Sequence, residues 1–367
     1  MEKYNKKIEK LYVIFIFLFL IMWAMATRAT SGPDEAMKYD VCNYIATKDS
    51  LPDGRDPAIR NPVWGTSYGF TPLVSYIVSA VFLKIAYLFT EDVQLLYVAV
   101  RLTSVLCITG MAAVVIKIGH LLFEKTAVRW LFILLTTLLP QVLYLGSYLN
   151  NDAFALFTIS IIIYAWVKGI RSQWDRTSCI TLAVGIGLCA LSYYNAYGYI
   201  LCSALICLSS AILNKMDAKE IAKKALIVAS VAFVAAGWWF VRNAILYDGD
   251  ILGTKTQNEY GNKYAMEQYK PSARETPENS NESLWYMLDE GGWIHITVRS
   301  FVGMFGYQNI LMSDKIYYAY FGIWMIGGIG CLLKFKKLFI YKKEEKNKYL
   351  LNYTFVIAII IPIILSI

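Results

Sequence analysis

Apolar and polar residues alternate along this chain in long blocks. Apolar segments lie near 11–27, 71–90, 97–117, 130–147, 151–168, 177–195, 198–213, 225–246, 317–333 and 349–367. A run of about 17–25 apolar residues is what an α-helix needs to cross a hydrocarbon core. Helices satisfy their own backbone hydrogen bonds, so they can face lipid. The pattern predicts an all-α, polytopic membrane bundle of about nine or ten transmembrane segments, with residues 1–367 forming one transmembrane domain. The first segment, Leu11 to Ala26, follows Lys3, Lys6, Lys7 and Lys10. Ala24-Met25-Ala26 is a faint cleavage signal, but a chain that is apolar throughout can use this segment as its first span. The chain ends at Ile367 inside an apolar run, which fits an end just past the bilayer or a truncation before further spans.

Basic clusters give the bundle a direction. They fall at the N-terminus, at Lys117/Lys125/Arg129, at Lys168/Arg171/Arg176, at Lys215/Lys219/Lys223/Lys224 and over Lys334 to Lys348. Lys and Arg concentrate in cytoplasmic loops. The N-terminus is therefore expected inside, and two regions are expected outside: a first extracytoplasmic loop over 28–70 with an acidic motif, and a large one over 247–316. One parity conflict remains. The N-terminus and Lys117 both read as inside, so an odd number of spans must separate residues 28 and 117, yet two apolar segments lie there. Lys84 sits well within 71–90, and a cation at the bilayer centre costs ~2.5–3.5 kcal/mol on insertion scales. That segment is either interfacial or a span that ends early.

Composition agrees with the pattern. Hydrophobic residues make up 57% of the chain and charged ones 17%, against about a quarter charged in soluble domains. The net charge of +8 is accounted for by the short basic loops, so no nucleic-acid partner is implied. The seven cysteines show no CxxC pair and lie mostly in apolar segments, as small buried hydrophobes. With two histidines, His120 and His295, a His-built metal site is not expected. Walker, GxGxxG and HExxH motifs are absent from the sequence, which leaves a cytosolic nucleotide-driven mechanism without support.

The candidate chemistry gathers on the outer side. Ser31-Gly32-Pro33-Asp34-Glu35 closely follows the first span. Proline at a first helical position and acids in the first turn form a helix start. Met37, Val41, Tyr44 and Ile45 continue it as an amphipathic stripe. Dipole capping explains acids here in general but not a carboxylate pair within a few residues of the bilayer. Asp152, after Asn150-Asn151, opens the next span on the same side as a helix cap or as a third carboxylate of one site. Trp238-Trp239-Phe240-Val241-Arg242-Asn243 ends a span there. An Arg on the outer face needs a partner, and a lipid phosphate fits its position. Arg101, Arg299 and Lys38 are further cations near that interface. Trp285 to Tyr307 reads as a short surface helix followed by a turn at Gly303 to Gly306, with His295 structural. Two glycosylation sequons, Asn281-Glu282-Ser283 and Asn352-Tyr353-Thr354, are short enough to arise by chance.

Together these motifs resemble the GT-C class of membrane glycosyltransferases, which includes protein O-mannosyltransferases and the aminoarabinose transferase acting on lipid A. The resemblance rests on Pro33-Asp34-Glu35, on Asp152, and on Trp239 to Asn243 followed by Tyr247-Asp248-Gly249-Asp250. It is strongest to a poorly characterised bacterial branch of predicted membrane proteins with PDE after helix one, an N-D turn, and a late segment like Ser300 to Tyr307. It implies sugar transfer from a polyprenyl-phosphate donor to a glycan, lipid or protein acceptor on the extracytoplasmic face of a bacterial plasma membrane. Asp34 would be the base, Glu35 and Asp152 supporting carboxylates, and Arg242 with Asn243 the partners of the departing phosphate. Many relatives carry Thr-Lys between two spans where this chain has Ser192-Tyr193-Tyr194-Asn195, so the cation expected near the donor phosphate is missing there, and Tyr194 and Asn195 stand as candidate substrate-binding residues at that turn. The resemblance fixes no cofactor, and two or three carboxylates could hold a divalent cation. The rival expectations are a transporter or flippase of a lipid-linked saccharide and a non-catalytic envelope-assembly protein.

Overall fold

The computed structural model describes residues 2–273, 283–341 and 345–366. The chain is a polytopic helical membrane protein, 76% helical, with seven helices among the described residues long and apolar enough to cross a bilayer. In chain order the helices are α1 (Glu2–Ala26), α2 (Glu35–Lys48), α3 (Val74–Ala86), α4 (Val93–Leu122), α5 (Thr126–Thr137), α6 (Pro140–Leu145), α7 (Asp152–Ser172) and α8 (Arg176–Ala190). They continue with α9 (Gly198–Leu213), α10 (Ala218–Leu246), α11 (Thr254–Tyr264), α12 (Leu284–Leu288), α13 (Trp293–Val302), α14 (Asp314–Leu333), α15 (Phe335–Phe339) and α16 (Lys346–Ser366). The sheet is one two-stranded hairpin, β1 (Met304–Phe305) with β2 (Ile310–Leu311), which forms the turn expected after Gly303. The large loop expected over 247–316 contains α11; Asn281 and Glu282 of its sequon lie outside the described residues.

Each span turns one stripe inward and the rest to lipid. On α1, Ile16, Leu20 and Ala24 are fully buried at i, i+4, i+8, while Leu11, Phe15, Leu18 and Met22 are exposed. Lipid is as apolar as leucine, so burial alone does not drive these helices together; close packing and hydrogen bonds do. At Gly187, a β-carbon would stand 2.7 Å from the Ala235 β-carbon, so the α8–α10 approach depends on its absence. Ser79 donates to Thr103 at 2.8 Å, Trp166 Nε1 to Ser203 at 3.0 Å and Trp174 Nε1 to Ser210 at 2.9 Å. Each such bond contributes about 0.6 kcal/mol in a membrane interior. Five of the cysteines are buried, Cys207 is half-buried and Cys331 exposed, all as free thiols.

The parity conflict is resolved by α3. Near its start Ser75 donates to Asn151 at the head of α7, and at its end Tyr87 donates to Asn43 on α2. Gln94, just beyond, bonds the Thr27 carbonyl at the exit of α1. Both ends of α3 therefore lie at the end of the bundle where α1 exits, and α3 does not cross. α4 does: His120 near its far end bonds Glu9 near the start of α1, at 2.7 Å. The N-terminus and the 117–129 loop thus share one end, the basic end. The other is the site end. Lys84 is paired with Asp49, both largely exposed (56% and 74%). Exposed pairs contribute ~0–1 kcal/mol, so Lys84→Ala is expected to leave the thermal midpoint in detergent nearly unchanged. A drop of more than about 2 kcal/mol would place that lysine in a buried environment instead.

The segments 28–70 and 247–316 meet at the site end. The Gly54 amide donates to the Tyr247 hydroxyl at 3.0 Å, Met266 N to the Val63 carbonyl at 3.0 Å, and the Tyr307 hydroxyl to the Thr30 carbonyl at 3.1 Å.

Candidate active site

The site begins with a departure from the helix start. α2 opens at Glu35, and Asp34 occupies the cap position in the left-handed region (φ 53°, ψ 17°) with no side-chain bond to the helix amides. A left-handed non-glycine residue costs about 1–2 kcal/mol, and its usual return, a capped amide, is missing. The Asp34 carboxylate instead accepts the Tyr68 hydroxyl at 2.8 Å. At α7 the capping is done by a neighbour: the Asn150 side chain accepts the Ala153 amide at 2.8 Å. Asp152, the first residue of α7, is thereby left to line the same cavity as Asp34.

That cavity has a volume of about 480 Å³, in the range of small-molecule sites. Asp34, Lys38, Tyr68, Tyr148 and Asp152 form its charged and aromatic side; Gln141 of α6 and Thr297, Ser300 and Phe301 of α13 face them. Lys38, one turn after Asp34, is only 6% exposed. Its ammonium donates to the Pro33 carbonyl at 2.9 Å and lies over the Tyr68 and Tyr148 rings at 5.1 and 5.8 Å. Burial lowers its pKa from the ordinary lysine value, while Asp152, Asp34 and Glu35 pull the other way. Asn151, 3% exposed, also lines the cavity. Its Oδ1 accepts from Ser75, but its Nδ2 donor has no acceptor among the described residues. The site thus offers two carboxylates, one enclosed ammonium and an unused amide donor.

Several expected members are placed elsewhere. Glu35 and Arg101 are both fully buried and paired with each other, Nε to Oε1 and Nη2 to Oε2, each at 2.8 Å. Glu35 also accepts the Leu149 amide at 2.9 Å, and Arg101 donates to the carbonyls of Ala24, Thr27 and Arg28. The pair ties α1, α2, α4 and the turn before α7 together. It does not line the cavity, which corrects the expectation of a third catalytic carboxylate and a substrate cation there.

Arg242 donates to the Pro52 carbonyl at 2.6 Å, and its guanidinium lies over Trp239. Asn243 accepts from Arg242 and donates to the Ile251 carbonyl. Both pin loops instead of facing Asp34. The Tyr194 hydroxyl donates to the Leu252 carbonyl, Asn195 is exposed, and Arg299 sits over the Tyr317 ring with Asp314 at 3.6 Å. Of the expected group the cavity gathers Asp34, Asp152 and Lys38. It adds Tyr68, Tyr148 and Gln141, which the sequence reading did not single out. Two of these carried a signal: Gln141 is a polar residue inside an apolar segment, and Tyr148 directly precedes the Asn-Asn-Asp turn. Among the described residues, no group of three or more His, Cys, Asp or Glu side chains converges to hold a metal ion.

Residues 60–367 match a family described as "Predicted membrane protein (DUF2142)". The chain belongs to this family. No curated protein and no solved structure matches it. The DUF2142 match takes in Tyr68, Tyr148, Asp152 and Ser300, and begins after Asp34 and Lys38. Its description agrees with the helical bundle and carries no activity.

Proposed function

We propose that this protein is a glycosyltransferase of the GT-C type, moving a sugar from a polyprenyl-phosphate donor to an acceptor hydroxyl at the cavity bounded by Asp34, Lys38 and Asp152. In this reading the site end is extracytoplasmic and the membrane is a bacterial plasma membrane, with the basic end in the cytoplasm. The observation that carries it is Asp34: a strained carboxylate, released from capping and held by Tyr68, beside a buried ammonium and a second carboxylate. Strain of this kind concentrates where geometry serves chemistry. The acceptor oxygen attacks the anomeric carbon as its proton passes to Asp34. The bond from that carbon to the phosphate oxygen breaks, and the configuration inverts. The polyprenyl phosphate departs with the electron pair. Lys38, rather than Arg242, is the cation placed to hold it, in a site where charge interactions are strong. Asp152 keeps Lys38 charged and can accept from a sugar hydroxyl. The apolar α13 side chains Ile294, Val298 and Phe301, exposed on one helix face, give a lipid tail a path away from the polar cavity.

The test is direct. The purified protein, given a polyprenyl-phosphate hexose and envelope glycan or lipid acceptors, is expected to yield a glycosylated product by mass spectrometry, and cells lacking it to lose one envelope glycan species. If the envelope glycans are unchanged and no donor is consumed, the reading is overturned.

Lys38 gives a pH signature. Transfer that needs its ammonium should fall as pH rises through the lowered pKa, thus below the ordinary lysine value of about 10.4. Folding moves the other way. Between the lowered native pKa and the higher unfolded one, the unfolded chain binds more protons, so stability rises with pH. Lys38→Met is expected to reduce kcat/KM about ten- to a hundredfold, the worth of one charged hydrogen bond. Lys38→Arg, charged at all working pH, should remove the alkaline fall. An unchanged alkaline limb in Lys38→Arg would separate Lys38 from the leaving group.

A further inference from the structure

A second site lies at the opposite end of the bundle. α9 and α10 are joined by the short turn 214–217, and consecutive antiparallel helices so joined ordinarily pack together. Here they splay: α10 packs along α8, whereas α9 packs on α16 and α7. The wedge between them is a cavity of about 420 Å³, lined by Leu182 and Ile186 of α8, Ala204 and Leu208 of α9, and Ala225 and Ala229 of α10. Two of its walls, α9 and α10, are among the helices long and apolar enough to cross a bilayer, so its open side faces acyl chains.

The wedge has a charged mouth. A second cavity, of about 950 Å³, shares Trp174, Cys179 and Lys224 with it and is bordered by Arg176 and Lys223. Lys224 is fixed at the boundary by the Gln173 carbonyl and by Glu220, each at 2.7 Å. The residues presenting that carbonyl, Gln173 and Trp174, are both left-handed (φ 55° and 59°), and Trp174 is anchored to Ser210. The nearby acids are committed: Glu220 to Lys224, and Asp175 to the Ser178 amide and the Ser172 hydroxyl. Arg176 and Lys223 are exposed and have no carboxylate partner among the described residues.

We infer that this paired cavity is a binding site for an anionic phospholipid, one acyl chain in the α8–α9–α10 wedge and the phosphate headgroup against Arg176 and Lys223. A basic mouth between transmembrane helices is the arrangement that holds acidic headgroups, at about 1 kcal/mol for each cation near the surface. A ligand with no chain would leave the wedge to bulk lipid, and a zwitterionic lipid would gain little from the mouth. The inference stands apart from the sugar-transfer reading, because it uses none of the same residues.

Native mass spectrometry of the full chain tests it, with equimolar phosphatidylglycerol and phosphatidylcholine added in detergent. Phosphatidylglycerol adducts are expected to exceed phosphatidylcholine ones by about thirtyfold, two cations at about 1 kcal/mol each. The double variant Arg176→Gln/Lys223→Gln, confined to exposed side chains, should bring the two to parity. Ala229→Phe, which fills the wedge, should weaken retention of both. The control Lys117→Gln/Lys125→Gln, at the same end of the bundle but outside these cavities, should behave as wild type. Equal retention of the two lipids by the wild type, or equal loss from the control pair, would overturn the site. So would full retention by Ala229→Phe.

Discussion

Replacing Asp34 by Asn is expected to lower sugar transfer by about two to four orders of magnitude, the range of a lost general base, with the fold intact. The substitution is nearly isosteric, and the Asn carbonyl oxygen can still accept the Tyr68 hydroxyl that now meets the carboxylate at 2.8 Å. Asparagine also tolerates the left-handed backbone at this position. What is lost is the proton acceptor. In an inverting displacement the acceptor oxygen becomes positively charged as it bonds to carbon unless its proton leaves, so the loss falls on kcat, about 3–5 kcal/mol of barrier. Under the proposed function donor binding rests on Lys38 and the α13 face, so donor affinity should stay within a few-fold of wild type. Asp152→Asn should act differently: it removes an anion that supports the Lys38 charge, and so lowers the pH at which transfer begins to fall. Wild-type rates in Asp34→Asn, measured with the product confirmed by mass spectrometry, would remove Asp34 from the chemistry.

Most of the fold was legible because membrane helices are written in block hydropathy. Each of the ten apolar segments contains a helix, including the segment 130–147, which Pro140 divides between α5 and α6. The status of α3 was not legible. A thirteen-residue apolar helix reads like a short span, and only the bonds from its two ends to residues of the same end of the bundle decide it. At the site, the sequence located Asp34, Lys38 and Asp152 at one end but could not sort cations by partner. Arg242 and Arg101 are both arginines near that end, and one binds a loop carbonyl while the other binds Glu35. A signal existed for Arg101. It stands inside an apolar segment, where an ionisable residue requires an internal partner, and Glu35 was the nearest acid once α1 and α4 were laid side by side. Nothing comparable marked Tyr68, because its place opposite Asp34 is set by the path of an irregular loop.

The Glu35–Arg101 pair carries the largest expected stability effect. Arg101→Met should cost about 3–5 kcal/mol, the penalty for leaving one member of a buried pair behind. The carboxylate of Glu35 would keep its bond from the Leu149 amide but lose both guanidinium bonds, in a site with no exposure. The carbonyls of Ala24, Thr27 and Arg28 would each lose a guanidinium bond at the same time, with Thr27 keeping Gln94 and Arg28 keeping Ser31 as donors. Glu35→Gln should cost less, because Arg101 keeps those carbonyls and the amide oxygen of Gln can still accept from the guanidinium. Pairing Arg101→Met with Glu35→Leu removes the stranded charge but does not restore the lost guanidinium–carbonyl bonds. The double variant should therefore be more stable than Arg101→Met alone yet remain below wild type, a coupling that thermal unfolding in one detergent measures across all four proteins. If Arg101→Met melts with the wild type, the pair is not the clasp that fixes the exit of α1 against α2 and α4. In that case Asp34, held one residue before Glu35, must owe its left-handed geometry to Tyr68 and Lys38 alone.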